Sequence, residues 1–171
     1  MKHYRGTLHC ASVVLFLGAL LGTETATAQT SPTPEELHAA AERLFPTPSR
    51  HAKAAGLLCR EADLRSGDDP NGVQALLLCG KLYYYAGELA QSRYALEDAA
   101  RRALAIGDVV RAAHAFMDAS FIAGRQGKSQ AVGELAGKAR MLAGSPLLTP
   151  GQRLAIEERV AGTIPVVHAG S

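Results

Sequence analysis

Proline-led starts and glycine stops divide this chain into helices before any other feature is weighed. Thr33-Pro34-Glu35-Glu36 places a capping hydroxyl, a proline at the first helical position and a carboxylate three residues after the cap. Thr149-Pro150-Gly151-Gln152 repeats the arrangement, and Thr47-Pro48 and Asp69-Pro70 are shorter versions of it. Gly87, Gly107 and Gly127 mark helix ends, where a left-handed residue costs least as glycine. Between these marks the chain is rich in Ala and Leu, which favour helix, and poor in β-branched residues. Seven helices are expected, over 34–45, 48–65, 70–86, 88–106, 108–126, 128–143 and 150–162.

The apolar spacing agrees with those bounds. Leu89, Ser92, Leu96, Ala99, Ala103 and Ile106 recur three or four apart in the fourth helix, as do Val109, Ala113, Phe116, Ser120 and Ala123 in the fifth. The third helix is apolar nearly all round from Val73 to Tyr85, which predicts neighbours on both sides. Short connections make consecutive helices antiparallel. The last helix carries Gln152, Arg153, Glu157, Glu158 and Arg159 on one side, suiting it to close the structure. The fold class is all-α: antiparallel hairpins stacked in order.

The first 28 residues read as a secretory signal. Lys2, His3 and Arg5 precede an apolar run from Ala11 to Leu21, and Ala26-Thr27-Ala28 offers small residues at a cleavage site. A membrane span needs about 20 apolar residues, and this run is roughly half that. Cys10 precedes the run, which argues against a lipid-anchored form. Taking Lys2, Arg5 and Glu24 from the 18 basic and 16 acidic residues leaves 16 and 15 in a mature chain. That balance lacks the clustered basic face of a nucleic-acid binder. One helical domain over 29–162 and a loose tail over 163–171 are expected.

Between Gly80 and Ala99 stand Gly80, Tyr83, Gly87, Leu89, Ser92, Leu96 and Ala99. In this spacing the segment resembles a tetratricopeptide-repeat hairpin. The family wants a small residue where its helices cross, an aromatic three residues on, a glycine at the turn and a second small residue in the second helix. A weaker copy follows at Ser120, Ala123, Gly127, Ser129, Val132, Ala136 and Ala139, about 40 residues later. The usual period is about 34, and the family's closing proline is absent, so the stack is divergent. The resemblance implies a short right-handed solenoid that works as a non-enzymatic binding scaffold. Its concave groove, lined by the first helix of each hairpin, receives a protein or peptide partner. By register that face carries Gln74, Leu77, Lys81, Tyr84 and Tyr85, then His114, Met117, Phe121 and Arg125. For Leu77, Met117 and Phe121, core packing is the competing role. The Lys/Asn clamp that some members use for a terminal carboxylate is not present in full. A small structural bundle or envelope-assembly subunit without a groove is the rival reading.

No set of residues points to catalysis, a cofactor or a metal. Cys59 and Cys79 lie in adjacent antiparallel helices at similar distances from the 66–70 turn, so they stand at one height. Gly56 and Gly80 nearby would let the helices approach, and export would favour a bridge. Two buried thiols are the alternative. Gly124-Arg125-Gln126-Gly127-Lys128-Ser129 ends like a phosphate loop, but Ile122 holds the position of the first glycine and a helix precedes it. Asp68, Asp69 and Asn71 lack the alternation and closing glutamate of a calcium loop. His38, His51 and His114 have no i+4 partner and are expected at the surface or rim. Arg101, Arg102 and Arg111 with Glu97, Asp98 and Asp108 are expected to be solvated helix-face pairs.

The signal reading predicts that the exported product begins at Gln29. N-terminal sequencing checks it, and membrane-held material retaining Met1 would overturn it.

Overall fold

The computed structural model describes residues 31–163. The expected signal and its cleavage site lie outside them, as does the tail beyond Thr163. Thr163 itself, expected to open that tail, is the last residue of a helix. Among the described residues there are seven helices and no strand: α1 (Pro34–Glu42), α2 (His51–Leu64), α3 (Pro70–Tyr85), α4 (Leu89–Ala105), α5 (Val109–Arg125), α6 (Ser129–Ala143) and α7 (Pro150–Thr163). Each packs on the next, and α7 also reaches back to α5. The result is an all-α helical stack.

Capping chemistry sets the starts. Thr33 accepts the Glu36 amide while the Glu36 carboxylate accepts the Thr33 amide, at 3.2 and 2.9 Å. Thr149 and Gln152 make the same reciprocal pair ahead of α7. Asp69 accepts the Asn71 amide at 2.8 Å and caps α3. Thr47-Pro48 behaves differently. Thr47 makes no side-chain cap, Pro48–Arg50 forms a 3-10 turn, and α2 begins only at His51. The first helix also stops at Glu42, short of the expected 45. Pro46 explains this, because it disfavours helical backbone at Phe45. Leu44 and Phe45 instead fold onto the core shared by α1, α2 and α3.

The turns after α3, α4 and α5 are alike. Gly87, Gly107 and Gly127 hold φ of 80°, 76° and 71°. The amide after each glycine donates to the carbonyl five residues earlier: Glu88 to Tyr83, Asp108 to Ala103 and Lys128 to Ala123. This double-bonded ending satisfies carbonyls that a helix terminus otherwise leaves open.

Packing is closest where α3 crosses α4. A β-carbon on Gly80 would lie 2.7 Å from Leu96 Cγ and 3.2 Å from the Ser92 carbonyl. Buried Ser92 donates its hydroxyl to the Gly80 carbonyl at 2.8 Å. In the α5–α6 hairpin buried Ser120 donates to the Val132 carbonyl at 3.0 Å. The hydroxyl therefore comes from the second helix in one hairpin and from the first in the other. Around these crossings Ala75, Leu76, Leu96, Ala99, Phe116, Ile122 and Leu135 form part of one apolar core, with Ile156 and Val160 of α7 at its far end.

Cys59 and Cys79 bring their sulfurs to disulfide distance, with Cα atoms 5.6 Å apart. The expected glycine contribution is not what joins them. Gly80 faces α4, and a β-carbon on Gly56 would make only an ordinary 3.7 Å contact with the Tyr83 hydroxyl. Glu61, also on α2, is 2% exposed and is the one buried carboxylate among the described residues. His38 Nδ1 lies 2.8 Å from one of its oxygens, and Arg65 Nε donates to the other at 3.0 Å. Arg65 also donates to Asp69 and Glu35, each at 3.1 Å, tying α1 and the α3 cap to α2. The Asn71 amide and then Arg65 hold the Asp69 carboxyl below its usual range. Burial works against the Arg65 charge, yet its hydrogen bonds to Asp69 and Glu61 hold it above the ordinary guanidinium value. His38, expected at the surface, is thus two-thirds covered and bonded to a buried acid.

Gly80→Leu and Ser92→Leu should each lower stability by about 1–3 kcal/mol through overpacking at the crossing. Gln91→Leu, on the exposed side of the same helix, should stay within about 0.5 kcal/mol. Denaturant melts of the three variants check this, and equal stabilities would put the crossing elsewhere.

Candidate functional site

Helices α3 and α5 are the first members of successive hairpins, and a groove of about 800 Å³ opens between them. Its floor is apolar, with Leu77 and Leu78 from α3, Met117 and Ile122 from α5, and Leu96 of α4 beneath. Met117 is 1% exposed and belongs to the core as much as to the groove. Leu77 is half-buried, whereas Phe121 stands 47% exposed on the wall. The competition between core and groove roles is thus resolved one residue at a time. Gln74, Lys81 and His114 line the same space.

Tyr84 and Phe121 form the wall across which α3 and α5 meet, edge to face with centroids 5.9 Å apart. Tyr85 does not line the groove. It stands beside Tyr84, centroids 5.7 Å apart, and 57% exposed. His51 of α2 continues the row, 6.0 Å from Tyr85, while its Nε2 lies 3.0 Å from the Phe45 carbonyl. The row His51–Tyr85–Tyr84–Phe121 therefore spans three helices. Arg125 also lies outside the lining, but its Nη1 donates to the Tyr84 hydroxyl at 3.4 Å.

Seven of the nine residues assigned to this face by register line the groove, namely Gln74, Leu77, Lys81, Tyr84, His114, Met117 and Phe121. Tyr85 and Arg125 border it. Three charged residues were not foreseen there. Arg111 and Asp118 line it from α5, one turn either side of His114; extending the stripe back by three residues would have found Arg111, and widening it by one position beside Met117 would have found Asp118. Arg159 enters from α7 and is bonded to Asp118. Only the tertiary contact of α7 with α5 brings it there.

The expected helix-face pairs are present elsewhere. Arg101 and Arg102 hold Asp98, and Arg111 lies 3.4 Å from Asp108. Glu97 pairs with Arg93. Among the described residues no group of three or more His, Cys, Asp or Glu is gathered as metal ligands would be. No helix among them is long and apolar enough to cross a membrane. Comparison with protein-family models, with curated proteins and with solved structures finds no match in any of the three.

Met117→Ala should cost about 2–5 kcal/mol, as for a buried side chain with no room to relax. Phe121→Ala should cost about 1 kcal/mol or less, since half of the ring already meets water. Chemical denaturation separates the two, and a larger loss for Phe121 would make the wall a piece of core.

Proposed function

We propose that this chain is an exported, tetratricopeptide-like scaffold without enzymatic activity, which binds a protein or peptide segment in the groove between α3 and α5. The observation that carries the reading is the groove itself: an apolar floor and an aromatic wall on α3 and α5, which both pack on α4. Binding sites of this kind are concave, mainly apolar and preformed, with a few polar groups to orient the occupant. The helices are ordered before the partner arrives, so little conformational entropy is lost on binding. Exposed aromatic side chains supply the anchors on which such interfaces depend.

Export rests on the basic, apolar and small-residue order of the first 28 residues. A cysteine pair at bonding distance is compatible with an oxidising location. The structural-subunit reading draws on a different observation, the exposure of Met141, Leu147 and Leu154 around α6 and α7. That exposure suits lateral assembly and leaves the groove unexplained.

Selection from a random peptide library separates the readings. The mature chain should enrich peptides that lose at least about thirtyfold in affinity, or roughly 2 kcal/mol, against a Tyr84→Ala, Tyr85→Ala, Phe121→Ala variant. Circular dichroism melts establish that the variant is folded. Peptides bound equally by both proteins, or no enrichment at all, would favour the structural subunit.

A further inference from the structure

On α4 each arginine has a carboxylate: Arg93 holds Glu97, while Arg101 and Arg102 hold Asp98. Lys81 and Arg125 differ. Lys81 Nζ lies 5.9 Å from the centre of the Tyr85 ring, and Arg125 contacts the Tyr84 hydroxyl. Neither cation is paired with a carboxylate among the described residues. Both stand near the C-terminal ends of their helices, at one end of the groove. At the other end Arg111 lines it, near the start of α5 and beside Asp108. Between the ends lie half-buried His114 and the Asp118–Arg159 pair, which cancels itself. Arg111 is compensated by Asp108, so the groove has a surplus of positive charge at the Lys81–Arg125 end and an apolar, aromatic stretch next to it.

From this complementarity we propose that the partner is a peptide segment with an apolar stretch bordered by side-chain carboxylates at the end that meets Lys81 and Arg125. Arg111 and Arg125 are fourteen residues apart on one helix, about 20 Å at 1.5 Å per residue. About six residues of extended chain span that distance. The apolar stretch covers the Tyr84–Phe121 wall, and its acidic end reaches Lys81 and Arg125. The ring contact at Lys81 and the hydroxyl hydrogen bond at Arg125 leave both charges uncompensated. Charge of one sign in a low-dielectric cleft draws in an oppositely charged segment and sets its register.

The inference rests on the groove being a peptide site, so its test must fail separately from that reading. The probe is fluorescein-labelled, amide-capped Asp-Glu-Leu-Phe-Leu-Leu-Glu-Asp, followed by fluorescence polarisation. Two companions replace every acid by its amide or by lysine. The acidic peptide should bind at least tenfold tighter than either companion in about 50 mM salt and lose most of that advantage near 500 mM, where screening reaches about 3–5 Å. The folded Lys81→Glu, Arg125→Glu variant should lose at least tenfold for the acidic peptide and gain for the lysine one. Tighter binding of the amide or lysine peptide, abolished by Tyr84→Ala, would overturn the acidic partner and keep the groove. Failure of all three peptides would also overturn it, leaving the groove to be judged by the library selection. An acidic preference that survives charge reversal at Lys81 and Arg125 would place the recognition elsewhere and overturn the proposal as well.

Discussion

At the α3–α4 crossing, Leu96 fills the space that a side chain on residue 80 would need, and Ser92 closes the contact with a hydroxyl bonded to the Gly80 carbonyl. The groove takes its shape from that approach. Leu96 can reach the groove floor with Leu77 and Met117 because Gly80 leaves room for it. A buried hydroxyl left without an acceptor is costly, so the Ser92 bond also selects one axial register. Ser120 performs the corresponding task between α5 and α6. With both hairpins locked internally, the α3 and α5 faces have a fixed relation, and Tyr84 meets Phe121 across it.

Charge is used in two ways in the stack. At the N-terminal end it fastens. Glu61 is withdrawn from water and shared by His38 and Arg65, and Arg65 extends to Glu35 and Asp69. A buried carboxylate is tolerated only with such partners, and losing one strands the other. At one end of the groove, Lys81 over the Tyr85 ring and Arg125 on the Tyr84 hydroxyl keep their charge available. The same residue type is thus structural at Arg65 and outward-facing at Arg125.

Local chemistry made most of the fold legible. Capping pairs, proline positions and turn glycines act within a few residues, and they placed all seven helices to within three residues at either end. The two largest departures were local too: Pro46 shortened α1, and Thr47-Pro48 opened a 3-10 turn rather than α2. Helix register then found seven of the fifteen residues that line the groove, because one stripe of α3 and one of α5 run along its walls. It missed Arg111, which a longer stripe would have included, and Asp118, which a wider one would have. Two features needed the assembled structure. Arg159 reaches the groove only through the return of α7 to α5, and Glu61 is buried only because α1 folds over α2 with His38 in place. Neither juxtaposition has a signature in the spacing of residues.

The left-handed glycines at 87, 107 and 127 set a uniform step of twenty residues through the middle of the stack. Helices α4 and α5 each have 17 residues, so each layer is about 25 Å long. A single residue added or lost within one of these layers would turn every later side chain by about 100° about the helix axis. Extra residues would therefore be tolerated best in the irregular connections before α2, before α3 and before α7. Lengthening the central stack without disturbing its faces would require adding whole twenty-residue layers, and in pairs if the chain is to return to the same side.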